Sequence, residues 1–268
     1  MFTFFLKKNI CDGWDNLFTL ILGNLFSVVL TFLGIFAFLT ISAVQPLLGD
    51  LVLIVISGIF MIPVFAWGAN ARKIADFNTP SFATLFRTMA VVWKQAFAFG
   101  ALLALAAIVV LVGFRYYLEM FLNGKLLGLL LAAILFWFSL ICVLALQWFI
   151  PFYFLQEENN FIKCFKKSFI VFFDNPGFTC VVFVYNVFLF AFSVMLFFFV
   201  PGANGITLSC TNALRLRLYK YDWLEKQGAD TTINSRGKRI VIPWNELLAA
   251  DRETLGPRKL SSFLFPWK

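Results

Sequence analysis

Few side chains in this 268-residue sequence are equipped for chemistry, and histidine is missing altogether. His-based triads, His general bases and the usual zinc and non-haem iron sites are thereby excluded. The five cysteines, Cys11, Cys142, Cys164, Cys180 and Cys210, are odd in number and show no CxxC spacing. They read as small buried apolar residues rather than as a disulfide framework or a thiolate metal site. Glu157-Glu158 and Asp251-Arg252-Glu253 read as solvated loop charges, because neither has a second group to activate it. No catalytic residue, cofactor or metal is expected, and the chain is read as non-enzymatic.

What remains is neutral and sits in apolar surroundings. Asn24, Gln147, Tyr185, Asn186, Thr207 and Asn212, with Asn204, Ser209 and Thr211, lie within long uncharged runs. An amide in hydrocarbon needs a partner, so these side chains should face the interior of a helix bundle. Two readings follow: interhelical hydrogen bonds, or a polar cavity for a neutral solute such as a sugar. Two prolines bear on the second. Pro63 and Pro151 each deprive a carbonyl one turn earlier, at Ile59 and Gln147, of its N–H partner, and such breaks mark either a transport site or a structural kink. No acidic or basic residue lies deep in the first five apolar runs, which disfavours proton-driven transport.

The elements that must position these residues are membrane helices. The chain is 61% hydrophobic and 13% charged, with a mean hydropathy of +0.87, far outside the soluble range. A span needs about 20 apolar residues. The uncharged runs place spans near Leu17–Ser42, Leu51–Ala71, Gln95–Phe114 and Leu126–Gln156. The last run, Asn175 to Leu214, would extend roughly 60 Å as one helix, about twice the hydrocarbon thickness. It must turn, and Pro201-Gly202 and Asn204-Gly205 place the turn, giving a fifth span near Phe178–Val200 and a weaker sixth near Ile206–Tyr219. Five spans are the alternative. The fold class is an all-α polytopic bundle of about six transmembrane helices, over residues 1–221, followed by a cytoplasmic tail over 222–268.

The positive-inside rule favours six. With the N-terminus inside, Lys7 and Lys8, then Arg72, Lys73, Arg87 and Lys94, then Lys163, Lys166 and Lys167, then the basic residues from Arg215 to Lys268 are all cytoplasmic. Only Arg115 and Lys125 face out. The net charge of +8 is accounted for by these loops, and no nucleic-acid partner is implied. The uncharged stretch after Lys8 is longer than a signal-peptide core, so it is read as a retained span.

Two middle loops begin with a non-spanning amphipathic helix. Phe82, Phe86, Arg87 and Trp93 align with Phe161, Phe165, Lys166 and Phe172, and a fainter copy opens at Phe2, Leu6, Lys7 and Lys8. Thr79 with Pro80 is the expected start signal of the middle copy. The implied unit is one interfacial helix plus two spans, three times over, starting near 2, 82 and 161. The plainer reading is that basic amphipathic connectors recur in any such chain. Gly100, Ala104 and Ala107 form a small-residue stripe suited to close helix packing. Trp14, Trp67, Trp93 and Trp223 are placed near membrane interfaces, and the phenylalanines mostly face lipid. In the tail, Thr231–Ile242 reads as two short strands, and Asn245 as the cap of a helix running to Leu255 that Gly256-Pro257 stops. Phe263-Leu-Phe-Pro-Trp267-Lys268 is an aromatic patch for an interface or a partner.

The order of Gly13-Trp-Asp-Asn-Leu-Phe18, Gly23-Asn-Leu-Phe26, the Pro63 span with Ala69 to Ile74 after it, the Leu85-Phe86-Arg87 connector and Leu155 to Phe169 resembles the YesL-like family of bacterial integral membrane proteins. The resemblance covers about residues 10–221 and supplies no catalytic residues. It implies a multi-pass protein of the bacterial inner membrane with both termini cytoplasmic, accompanying a carbohydrate importer of the ABC type. Gln156 to Asp174 lacks the Glu-Ala-Ala start and downstream Gly with which importer permeases dock their ATPase. An accessory role is therefore expected, with Arg87, Lys163, Lys166, Lys167, Trp267 and Lys268 as docking surface, and an independent carrier of a neutral solute or lipid as the alternative.

Overall fold

The computed structural model describes residues 1–157, 159–227 and 241–258, and among them every regular element is helical. In chain order these are α1 (Phe2–Asp15), α2 (Leu17–Val44), α3 (Pro46–Ala75), α4 (Phe82–Leu122), α5 (Leu126–Leu146), α6 (Phe149–Leu155), α7 (Phe161–Asp174), α8 (Pro176–Met195), α9 (Gly202–Lys226), α10 (Trp244–Leu247) and α11 (Ala249–Leu255). Five stretches are long and apolar enough to cross a membrane: α2, α3, α4, α5 with α6, and α8. Their outward residues, such as Phe32, Phe36, Leu111 and Phe188, are exposed and apolar, as a lipid-facing surface requires. The protein is an all-α polytopic bundle.

The sixth long helix is of a different kind. α9 carries Asn204, Thr207, Ser209, Thr211 and Asn212, and all five are buried, as are Leu208, Cys210, Ala213 and Leu214 on its other faces. It packs against α1, α2, α3, α6 and α8. A helix surrounded by protein needs no apolar outer face, which is why its composition is too polar to match the other five. Its 25 residues are about 37 Å long, enough to traverse the bundle.

Several expected boundaries move. The connector expected to stand apart at Phe82–Trp93 is continuous with the following span, because no Pro or Gly interrupts the sequence before Gly100 and the hydrogen-bond ladder simply continues. The resulting α4 has 41 residues, about 60 Å. Its cap is Ser81, not Thr79: the Ser81 Oγ accepts from the Thr84 N–H at 3.2 Å. Asn70 on α3 fixes that cap by accepting from the Ser81 N–H at 3.2 Å and donating to its carbonyl at 3.1 Å. The connectors α1 and α7 do stand as separate helices of 14 residues each.

The two prolines behave differently. α3 runs unbroken through Pro63. At Pro151 the chain does break, one turn earlier: α5 ends at Leu146 and α6 begins at Phe149, leaving Gln147 and Trp148 between them. Gln147 is the residue whose carbonyl loses its N–H partner to Pro151.

The small-residue stripe is only partly packing. Gly100 lets α4 touch α3, where an added Cβ would lie 2.3 Å from the Ser57 carbonyl oxygen, and the Ser57 hydroxyl donates to the Gly100 carbonyl at 3.0 Å. Ala104 is buried, but Ala107 is exposed. Trp67, expected at an interface, is completely buried beside Gly23 and Asn204, and Trp148 is likewise buried, donating to the Thr179 hydroxyl at 3.3 Å. Of the cysteines, all free, Cys11, Cys164 and Cys210 are buried as expected, whereas Cys142 is half-buried and Cys180 exposed on apolar surface.

Residues 244–258 pack onto the body. Leu248, at the N-cap of α11, and Asp251 and Leu255 within it are buried, and the two leucines join the main core. Asp251 is therefore buried rather than solvated, pairing with Arg215 at 3.4 Å. The helix expected from Asn245 is divided at Leu248, with Pro243 at the N-cap position, and Asn245 instead accepts from Arg252 at 3.0 Å. Gly256, at φ +68°, ends α11 where a side chain would be strained. The strand residues expected at 231–240 and the aromatic end at 263–268, with Trp267 and Lys268, lie outside the described residues.

Candidate functional site: an apolar cavity

The six neutral candidates divide between three places. Asn24, on α2, is a clasp. Its amide nitrogen donates to the carbonyls of Phe199 (2.9 Å) and Pro201 (2.7 Å), and its oxygen accepts from the Asn204 N–H at 3.1 Å. With Ser193, whose hydroxyl accepts from the Gly202 N–H at 2.9 Å, it holds the reversal between α8 and α9. These are backbone groups that the reversal would otherwise bury unpaired.

Tyr185 and Asn212 belong to a second cluster, at the end of the bundle formed by α1 and the middle of α9. Asn212 donates to the Asp12 carboxylate at 2.9 Å and to the side-chain Oδ1 of Asn9 at 3.3 Å, while the Asn9 amide nitrogen donates to the Tyr185 hydroxyl at 2.9 Å. Asp12 also holds Lys8 at 3.0 Å, and the Lys8 ammonium lies 3.6 Å from the centre of the Phe77 ring. Lys8 is 2% exposed and Asp12 is 5% exposed, so this is a fully desolvated pair. Burial pushes the Lys8 ammonium down and the Asp12 carboxyl up, each opposed by the charge of the other. Sequence reasoning missed Asn9 and Asp12 and read Lys8 only as a cytoplasmic basic residue of an interfacial helix, without a buried partner. The available signal was spacing: Phe4, Lys8 and Asp12 recur at i, i+4, i+8, on one helical face.

Gln147, Asn186 and Thr207 come together around a cavity of about 690 Å³ bounded by α3, α4, α5 with α6, α8 and α9. The break at Pro151 positions Gln147, Asn186 comes from the middle of α8, and Thr207 from the polar helix. The inner wall is apolar, with Val64, Phe99 and Leu146 among its residues. Phe138 and Val143 on α5 and Val187 and Phe190 on α8 also line it, and all four are exposed. The cavity therefore opens sideways, between α5 and α8, onto the lipid-facing surface.

The polar groups of this cavity share one property. The Gln147 amide nitrogen donates to the carbonyls of Leu144 (2.8 Å) and Thr179 (3.3 Å), Asn186 donates to the Cys210 sulfur (3.1 Å), and the Thr207 hydroxyl donates to the Ala203 carbonyl (2.9 Å). Ser139 donates to Leu135 at 2.6 Å. Gln147 Oε1 and Asn186 Oδ1 are buried and without a hydrogen-bond partner. Both Gln147 amide hydrogens and the two hydroxyl hydrogens are thus spent on the protein, and the two unpaired oxygens are themselves buried among protein atoms.

The docking candidates are also dispersed. Arg87, Lys163 and Lys166 are exposed, on α4 and α7. Lys167 instead bonds Gln156 (2.5 Å) and Asn159 (3.4 Å), tying the loop between α6 and α7. Among the described residues no group of three His, Cys, Asp or Glu side chains forms a metal-ligating cluster. No protein-family model, curated protein or solved structure matches the chain, so the resemblance to the YesL-like family rests on its short apolar motifs.

Proposed function

We propose that this chain is a membrane protein that takes an uncharged, lipid-like molecule out of the bilayer into the cavity between α5 and α8, acting as its carrier or receptor without covalent chemistry. The observation that carries this reading is the cavity's lateral mouth: a 690 Å³ space lined mostly by apolar side chains and rimmed by lipid-facing residues. That volume is in the range of sites for drug-sized ligands. A sugar would leave most of its hydroxyls without partners there, so an apolar molecule suits the lining better than the neutral sugar that the amides alone suggest. A lipid analogue with a photoreactive group on its chain, irradiated in reconstituted vesicles, should label peptides from α4, α5, α8 and α9 at cavity positions. Labelling confined to outward residues such as Phe32 and Leu111 would refute the reading.

A second reading keeps the chain as accessory to a carbohydrate importer of the ABC type in a bacterial inner membrane, with its basic end cytoplasmic. It is favoured by exposed Arg87 and Lys166, which occupy equivalent positions in their connectors. Purification from native membranes should then recover transporter subunits in stoichiometric amount, and Arg87→Glu with Lys166→Glu should release them. Recovery of the chain alone counts against it.

A further inference from the structure

We infer that the cavity loads from the midplane of the bilayer, and that its ligand is a neutral lipid lying between the leaflets, of the acylglycerol class, rather than a phospholipid anchored in either headgroup layer; this rests on the reading that the cavity takes a lipid-like molecule. The position of the mouth carries the inference. Its four exposed residues are Phe138 and Val143 on α5 and Val187 and Phe190 on α8. Phe138 stands 13 residues after Lys125, Val143 stands 14 before Glu157, and Val187 and Phe190 stand 13 and 16 after Asp174, in each case the nearest charge in the sequence. Lys125 marks one face of the bundle, and Glu157 and Asp174 mark the other. Thirteen residues of helix rise about 20 Å, whereas the midplane lies about 15 Å from either edge of the hydrocarbon. The mouth is remote from both headgroup layers.

The inner wall agrees with the mouth. On α4 the lining runs from Phe99, five residues after Lys94, to Val110, five residues before Arg115. On α3, Phe60 follows Asp50 by ten residues and Val64 precedes Arg72 by eight. Each of these helices centres the cavity between its own terminal charges. No Lys, Arg, Asp or Glu is among the described residues that line it. A phosphate ester drawn to this depth would have neither water nor a counter-ion, and an uncompensated ion in such a medium is strongly unfavourable.

A phospholipid that keeps its head hydrated fares little better. The hydrocarbon of one leaflet, about 15 Å, is one chain deep. Such a lipid spends its chain on reaching the mouth, and only the chain end is left to turn inside. The cavity, at about 690 Å³, has room for a drug-sized molecule, and a chain end leaves much of its apolar wall uncovered. A lipid with no charged head is free to lie between the leaflets and to place a whole chain in the cavity. The gain is in van der Waals packing, since lipid tails outside are as apolar as the lining.

The test uses the full-length protein in phosphatidylcholine vesicles, with one photoreactive chain carried in turn by a triacylglycerol and by a phosphatidylcholine, the reactive group at mid-chain in both. The triacylglycerol should label the inner-wall residues Val64 and Phe99 at a yield at least about tenfold above that of the phospholipid, while both label outward residues such as Phe32. Depth is read separately. A phosphatidylcholine with the group at its chain end should label the mouth at Phe138 and Phe190, and one with the group beside its ester should not. Equal labelling of the inner wall by the two mid-chain lipids overturns the midplane inference and leaves the cavity reading intact. So does a mouth labelled from beside the ester. An inner wall that no lipid labels overturns both.

Discussion

Asp12 and Lys8 show what a buried pair does in this bundle. Removing one partner strands the other charge in a desolvated site, and Asp12→Ala is expected to lower stability by about 3–5 kcal/mol, read as a fall in the detergent-phase unfolding temperature. The double variant Lys8→Met with Asp12→Leu should recover most of that loss, because burial works against both charged forms. The signs agree. A raised Asp12 carboxyl adds stability that is lost as pH rises through its folded value, and a lowered Lys8 ammonium is a penalty relieved as pH rises through its own. Asp174 is the opposite case. Burial alone would raise its carboxyl, but hydrogen bonds from Tyr221 and Lys220 and the lysine's charge carry it below the ordinary 3.8. Its contribution is present above that value and lost as pH falls through the lowered one, so Asp174→Asn should flatten the acid limb of the stability profile. If the variant's acid limb superimposes on that of wild type, this account of Asp174 is wrong. At this scale the sequence was half legible: the amides needed partners, as any amide in hydrocarbon does, but that Asn24 became a clasp and Asn212 the support of an ion pair depended on partners 175 and 200 residues away.

Among the elements, the reversal into α9 and the break at Gln147 carry the architecture. Gly202 adopts φ +62°, and a Cβ there would lie 2.4 Å from the Asn24 carboxamide. Gly202→Ala is therefore expected to displace the Asn24 clasp and unfold the reversal at a temperature several degrees lower, whereas Gly13→Ala, with open space around it, should not. Pro151→Ala restores an N–H to the Gln147 carbonyl. It should extend α5 toward α6, move Gln147 and reshape the lining, and so weaken binding of a hydrocarbon probe in the cavity; unchanged binding would show that Pro151 does not set the lining. The spans and the turn at Pro201-Gly202 could be read directly, since run length and Pro-Gly punctuation are local properties. The fusion of α4 was legible too, in the absence of any breaker before Gly100, but the amphipathic match to Phe161–Phe172 pointed to a separate helix. The character of α9 was not legible, because its weak hydropathy is explained only by the five helices that enclose it.

The molecule as a whole places a polar helix at its centre and apolar helices around it, with a cavity opening between α5 and α8. The first residues of α1, α4 and α7 fall at 2, 82 and 161; two long helices follow α1 and α7, whereas α4 takes in both connector and span and is followed by α5 with α6. The cavity is bounded by α3, α4, α5 with α6, α8 and α9, helices far apart in the sequence, which no local pattern reveals. The most direct test of the account is native mass spectrometry of the full chain released from a bilayer containing an acylglycerol, compared with Ala107→Trp, a substitution that fills the cavity from an exposed lining position. The account predicts one retained neutral lipid on the wild type, absent from the variant at unchanged unfolding temperature. Equal retention by both, or none by the wild type, would contradict it.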